Sequence, residues 1–154
     1  MVAGDTKAPK VPPAWFERLF WRCHRLLHRM SGGRFLWKPG GRMGWGAMGV
    51  TTIGRRSGRR RTVIVGYLLD GDRPVTMAMN GWQEGHPAWW RNAQAHPDVE
   101  VKLPGRARRP MRAVAASGAE RERLWRRWAE VDDDLDGYAA LRQVETPVVI
   151  FEPR

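Results

Sequence analysis

The chain has 154 residues, 42% of them hydrophobic, with one cysteine and a net charge of +11. That length suits a single domain with its own core, and Cys23 alone excludes both an intrachain disulfide and a zinc cluster built of thiolates. Residues 1–61 hold 14 Lys and Arg against only Asp5 and Glu17, while the remainder holds 13 against 14, so an anionic partner is expected at the N-terminal part. No apolar run reaches bilayer-spanning length, and the first residues lead into no secretory apolar region. A cytoplasmic protein is expected, with peripheral contact to the inner face of the membrane as an option.

Residues 1–13, with three prolines and two lysines, read as a disordered tail, leaving 14–154 as the domain. From Trp15 to Met30 the spacing is helical. Trp15, Phe16, Leu19, Phe20, Cys23, Leu26, Leu27 and Met30 share one arc, and Arg18, Arg22, Arg25 and Arg29 share another. Such a helix, spanning about 14–31, either packs its apolar face on the core or rests on an anionic membrane surface. His24 and His28 lie one turn apart without a third ligand and read as surface residues, so no metal is expected. Gly44-Trp45-Gly46-Ala47-Met48-Gly49 has the letters of a dinucleotide fingerprint, but a connector precedes it and a β-like run follows, which excludes that reading.

Ala47 to Ile53, Thr62 to Leu69 and Pro74 to Met79 read as three strands of an antiparallel meander, with Asp70-Gly71-Asp72 as the second turn. His86 to Ala95 reads as a short helix with Pro87 near its start, closed by His96-Pro97. Asp98 to Leu103 alternates with period two, and Ala107 to Ala115 returns as its partner strand. Ser117 and Glu120 have the spacing of a capping box, opening a helix through Val131 with Leu124, Trp125 and Trp128 on its apolar side. After Asp132-Asp133-Asp134 comes a shorter helical piece over Tyr138 to Gln143, and Pro147 to Phe151 is the closing strand. Sequential antiparallel strands without βαβ crossovers point to an α+β, mainly β, fold: a small barrel or strongly curled sheet.

Two features carry chemistry. The first is the turn Gly54-Arg55-Arg56-Ser57-Gly58-Arg59-Arg60-Arg61, five arginines in seven positions between two apolar strands. Its guanidinium groups can converge on a phosphate or carboxylate, binding two oxygens each; a solvated hairpin or a nucleic-acid patch is the alternative. The second is nine tryptophans. Trp82, Trp89 and Trp90 follow the third strand, near Met77 and Met79; either they meet in one crevice suited to a flat ring, or each is simply part of the core. No nucleophile, base and orienting residue fall together, which argues against a hydrolase. The aspartates at 132, 133, 134 and 136 lack the glycine and terminal glutamate of a calcium loop and read as a solvated helix end.

The ordered set Gly54-Arg55-Arg56-Ser57-Gly58 with Arg61, Tyr67-Leu68-Leu69-Asp70-Gly71-Asp72, Asn80-Gly81, His86-Pro87-Ala88-Trp89-Trp90-Arg91-Asn92, His96-Pro97 and Pro147-Val148-Val149-Ile150-Phe151-Glu152-Pro153 resembles the deazaflavin-dependent nitroreductase family, from about Trp15 to the end. These are split β-barrel proteins. The resemblance implies a reductase that takes a hydride from reduced coenzyme F420 and delivers it to a quinone, an activated alkene or a nitro-type acceptor. It assigns the anionic part of the coenzyme to Arg55, Arg56, Ser57 and Arg61, and its ribityl chain and ring to Thr62, Val63, Ile64, Val65 and Gly66. Met77, Ala78, Met79 and Asn80, with Ala88, Trp89, Trp90, Arg91 and Asn92, would line the deazaflavin. Tyr138 matches a tyrosine bordering the substrate pocket and is the candidate proton donor. Some relatives carry further tyrosines where this chain has Asp132 and Leu135. Two alternatives stand beside this reading: a non-enzymatic module for a membrane surface or nucleic acid, and a barrel that binds FMN.

Overall fold

A computed structural model describes Pro13, Trp15, Phe16, residues 18–20, Arg22, Cys23 and residues 35–154. Its elements are β1 (Gly46–Ile53), β2 (Arg60–Asp70), β3 (Arg73–Met77), α1 (Ala88–Ala95), β4 (Asp98–Lys102), β5 (Arg109–Ala115), α2 (Gly118–Ala129), α3 (Leu135–Ala140) and β6 (Val148–Pro153). The strands close into an antiparallel barrel in the order β1-β2-β3-β6-β5-β4, the mainly β architecture expected from the pattern of short strands.

Alternation along β1 and β2 sets inside from outside. Met48, Val50 and Tyr67, with half-buried Val63 and Val65, join Val99, Val101, Met111, Ala113, Val149 and Phe151 in the principal core. Helix α1 adds Trp89, Trp90 and Ala93 to the same cluster. Burying side chains of this size contributes roughly 1.5–3 kcal/mol each. The opposite face of β2 is covered separately: Ile64 packs with Leu36 and Ala47, and the rings of Trp45 and Trp128 lie over Gly66. Leu68 and Met77 pack with Trp128 and Leu135 in an outer cluster flanked by Trp45, Trp82 and Trp125.

Helix α2 is tied to the β2–β3 hairpin by charge. Asp70 accepts from Arg73 at 2.7 Å, from both Nη atoms of Arg123 at 2.8 and 2.9 Å, and from Arg127 at 3.1 Å. The expected capping box does not form. Ser117 is the N-cap but makes no side-chain bond, and Glu120 instead accepts from Arg73 at 3.0 Å, a charged partner that outcompetes a backbone amide. The helix ends at Ala129, where Val131 and Asp132 both donate to the Trp128 carbonyl, and α3 starts at Leu135, whose side chain is fully buried.

The described residues of the N-terminal helix are helical, yet Trp15, Phe16, Leu19 and Phe20 are more than half exposed. The described part of the apolar arc is therefore not packed on the barrel core, contrary, for those residues, to the first of the two readings of that helix. Its remaining positions, including His24, Arg25, Leu26, Leu27, His28, Arg29 and Met30, lie outside the described residues, as does the expected tail apart from Pro13.

Candidate active site

The basic turn joins β1 to β2 and is shaped by its own backbone. Gly54 N–H donates to the Arg59 carbonyl and Gly58 N–H to the Gly54 carbonyl, both at 2.8 Å. Gly58 takes φ +63°, a conformation glycine adopts without penalty. A Cβ on Gly54 would sit 2.6 Å from the Ser57 hydroxyl oxygen, which itself accepts from Arg59 N–H at 3.3 Å. Ser57 thus helps shape the turn.

Beneath the turn lies Asn92 of α1, only 6% exposed. Its Oδ1 accepts from Arg55 N–H at 3.1 Å, and its Nδ2 donates to the Thr52 hydroxyl at 3.2 Å. One buried amide therefore satisfies a hydroxyl of β1 and the first backbone N–H of the basic run, and fixes the turn to α1. Next along the β1–β2 ladder the Thr51 and Thr62 hydroxyls lie 2.8 Å apart, and Arg108, from the β4–β5 connection, donates to Thr51 at 2.9 Å.

These elements border a cleft of about 1650 Å³. Of the residues assigned from the resemblance, Arg55, Arg56, Ser57, Arg61, Thr62, Val63, Ile64, Ala88, Trp89 and Asn92 line it together. Thr52, Gly54, Arg59, Arg60, Lys102 and Arg108 also line it, as do Leu19, Arg22 and Cys23 of the N-terminal helix. Lys102 and Arg108 were not expected. They arrive because β4 pairs with β1, placing Lys102 opposite Gly49, a long-range pairing that no local spacing announces. Arg60 is offset by Glu100, with Nη1 to Oε1 at 3.3 Å, and that carboxylate raises the guanidinium pKa. Among the described residues, Arg55, Arg56, Arg59 and Arg61 have no carboxylate partner.

Other assigned residues lie elsewhere. Val65 and Trp90 belong to the principal core, and the Trp90 indole N–H has no partner. Ala78 is fully buried, Met77 faces the outer cluster, Met79 is half-buried and Arg91 is exposed. Asn80 opens a tight turn by accepting from Gln83 N–H at 3.0 Å. The shared crevice for Trp82, Trp89 and Trp90 does not form: Trp89 and Trp90 point into the barrel, whereas Trp82 joins Met77 outside it. The split follows from their places in the chain, since the first two ride on α1 and the third on the loop before it. Trp82 stacks on Tyr138, with ring centroids 5.7 Å apart and planes 10° from parallel. The described residues contain no group of three or more His, Cys, Asp or Glu that could hold a metal ion, and no helix among them is long and apolar enough to cross a membrane.

The donor set fits an elongated polyanion: four guanidinium groups of the turn without a carboxylate partner, Thr52 and Thr62 on the two strands that flank it, and an apolar end at Ile64, Ala88 and Trp89. Comparison with known proteins gives the same direction. The profile of the F420H(2)-dependent quinone reductases matches residues 31–153. A Mycobacterium tuberculosis protein whose name places it among those reductases is 35% identical over 100 residues, covering 65% of this chain and 83% of its own. The solved structure of an F420-H2 dependent reductase, FDR-A, is 29% identical with a TM-score of 0.61, covering 69% of this chain and 93% of its own. A second, described as a domain-swapped dimer, is 26% identical with a TM-score of 0.65, covering 89% of this chain and 98% of its own.

Proposed function

Because the chain belongs to the F420H(2)-dependent quinone reductase family, we propose that its basic cleft holds the phosphodiester and glutamate tail of coenzyme F420 and that its acceptor is a quinone, with activated alkenes and nitro compounds as further acceptors. The observation that carries this reading is the convergence of unpaired Arg55, Arg56, Arg59 and Arg61 on one cleft that ends against Ala88 and Trp89. When bound, the reduced deazaflavin supplies the hydride.

The protein's contribution is position and exclusion of water. Arg55, Arg56 and Arg61 bind the anionic tail by charge-assisted bonds, and Asn92 keeps their turn at a fixed height above α1. Thr62, Val63 and Ile64 present a strand edge beside which the ligand lies. Reduction of a quinone to a hydroquinone needs a hydride and a proton. Tyr138 is the group we assign to the proton, because the resemblance sets it at the substrate pocket; it stacks on Trp82 and is not among the residues lining the basic cleft. Titration of the coenzyme into the purified protein, followed by fluorescence, should show saturable binding that weakens with salt. Preferential uptake of FMN would favour an ordinary flavin barrel instead.

A peripheral membrane contact is supported by the exposed Trp15, Phe16, Leu19 and Phe20 next to Arg18 and Arg22. The protein should co-sediment with vesicles containing anionic lipid and not with neutral ones.

A further inference from the structure

We propose that the loop 35–45 is a second lipid-contact site, whose tip at Arg42 and Met43 and whose paired indoles, Trp37 and Trp45, enter the headgroup region of an anionic bilayer. This rests on the membrane reading of the N-terminal helix and adds a second point of contact, which gives the barrel one orientation on the surface.

The loop is tied down at several points. Trp37 pairs with Ala47 at the start of β1, whose N–H donates to the Trp37 carbonyl at 2.9 Å, and the Trp37 indole N–H donates to the Trp45 carbonyl at 3.1 Å. The two rings lie 5.3 Å apart between centroids and are tilted by 47°. Gly44 N–H donates to the Gly41 carbonyl at 3.0 Å and Gly40 N–H to the Gly44 carbonyl at 3.1 Å, which sets Arg42 and Met43 at the centre of a tight turn. Gly44 has φ +74°, and a Cβ there would meet the Val131 side chain at 2.6 Å, so the loop sits hard against the chain just beyond α2. Turn tips that face water favour Asn, Asp, Ser or Gly. Here the tip carries Met43, 53% exposed, with Phe35 at 47% and Trp37 at 37%. Trp37, Gly41, Arg42, Met43 and Trp45 enclose a groove of about 340 Å³.

Charge decides what covers this surface. Between Glu17 and Asp70 the chain carries twelve Lys and Arg and no acid, and Lys38, beside Trp37, and Arg42, at the tip, are both exposed. A second copy of the chain would bring like charges together, whereas lipid phosphates answer them, at about 1 kcal/mol for each Lys or Arg near the surface. Indole rings suit that depth because they are apolar with one polar edge. The acidic run Asp132 to Asp134 follows Val131, so anionic headgroups repel that flank and the tip is the side turned to the lipid. The loop and the helix also share one side of the barrel. Ile64 of β2 packs with Leu36, and it lines the cleft together with Leu19, Arg22 and Cys23 of the helix.

The test measures co-sedimentation with vesicles of mixed phosphatidylglycerol and phosphatidylcholine, F420 titration and thermal melting for the parent, M43D and K38E/R42E. Both variants should lose about 10-fold or more in vesicle affinity. Their F420 affinity should stay within twofold and their melts should not move, because none of the three residues lines the basic cleft or is buried. Cys23 is the sole cysteine, so C23S/M43C takes a nitrobenzoxadiazole label at the tip alone. Its emission should shift to the blue when these vesicles are added and be quenched by lipids brominated in the acyl chain. If the parent sediments but the label stays in water, or either variant sediments as the parent does, the loop proposal is overturned and the helix contact stands. A blue shift that follows protein concentration without vesicles would assign the groove to a second copy and overturn the proposal equally. If the parent does not sediment at all, the membrane reading falls and takes the loop with it.

Discussion

At one end of β2 the basic turn and the residues after it carry five arginines, of which Arg60 alone meets a carboxylate, Glu100. At the other end Asp70 gathers Arg73, Arg123 and Arg127, and Glu120 shares the first of them. The same side chain serves two purposes on one strand. Where the fold supplies the counter-charge, guanidinium groups join a helix to a hairpin. Where it withholds one, they leave a positive cleft, which the proposed function reads as the seat of an anionic ligand. On that reading the abundance of arginine does not mark the site; carboxylate-free arginines gathered on one cleft do.

The largest effect should come from reversing the open end. R55E/R56E should lower F420 affinity by at least about 100-fold, since two charge-assisted contacts are lost and two repulsions added. The melting temperature should hardly move, because neither guanidinium has an ion-pair partner among the described residues. Coenzyme fluorescence and a thermal melt on the same samples check both halves. Near-parental affinity would mean that the unpaired arginines are not the coenzyme's partners.

The reciprocal experiment is made at the closed end. D70N should cost about 2–3 kcal/mol in urea unfolding, as it leaves three guanidinium groups around a group that is 14% exposed, while F420 affinity stays within twofold. Bonds from Arg123 and then Arg73 hold the Asp70 carboxyl well below the usual carboxylate range, against the opposing effect of its burial. For a carboxyl with a depressed folded pKa, the stabilisation is present above the unfolded value of about 4 and lost as pH falls below it. The parent should lose stability on acidification below about pH 4, and D70N should lose less over the same interval.

Local pattern made the strands, the barrel class and the basic turn legible, because period two and a glycine-bounded run of arginines are properties of adjacent residues. Part of the cleft was not legible in this way. Lys102 and Arg108 reach it through the β1–β4 pairing, and Asp70 became a hub only once α2 had docked. The tryptophans misled for a related reason. Proximity in sequence suggested one crevice for Trp82, Trp89 and Trp90, but the turn of α1 directs two of them into the barrel. Asn92 could be named from the resemblance, yet its bonds to Arg55 and Thr52 needed coordinates.

That amide gives a way to sharpen the contrast, because it joins scaffold to open charge. N92A removes both bonds and leaves Thr52 and the Arg55 N–H without that partner. It should lower stability by about 1–2 kcal/mol and F420 affinity by about 10-fold through a looser turn. Unlike the two variants above, it should move both readouts together. An affinity loss with no change in unfolding would show that Asn92 contacts the ligand rather than supporting the turn.

The smallest effect lies away from both ends of β2, at Asp132, where the fold gathers like charges and supplies no arginine. Burial raises its pKa, and the neighbouring Asp134 and Asp133 raise it further, against a bond from the Asp134 backbone. A carboxyl whose folded pKa is raised favours the fold when protonated and detracts from it once pH rises through that value. D132N keeps the acceptor for Asp134 N–H, now at 3.2 Å, and removes the charge. At neutral pH it should stabilise the protein by roughly 0.3 kcal/mol after allowance for solvent screening, and melts at successively lower pH should show that gain vanishing as the parent's own carboxyl takes up its proton. A gain that persisted in acid would trace to packing instead, and the rule drawn from β2, that an unbalanced charge marks either a ligand or a cost, would lose this example.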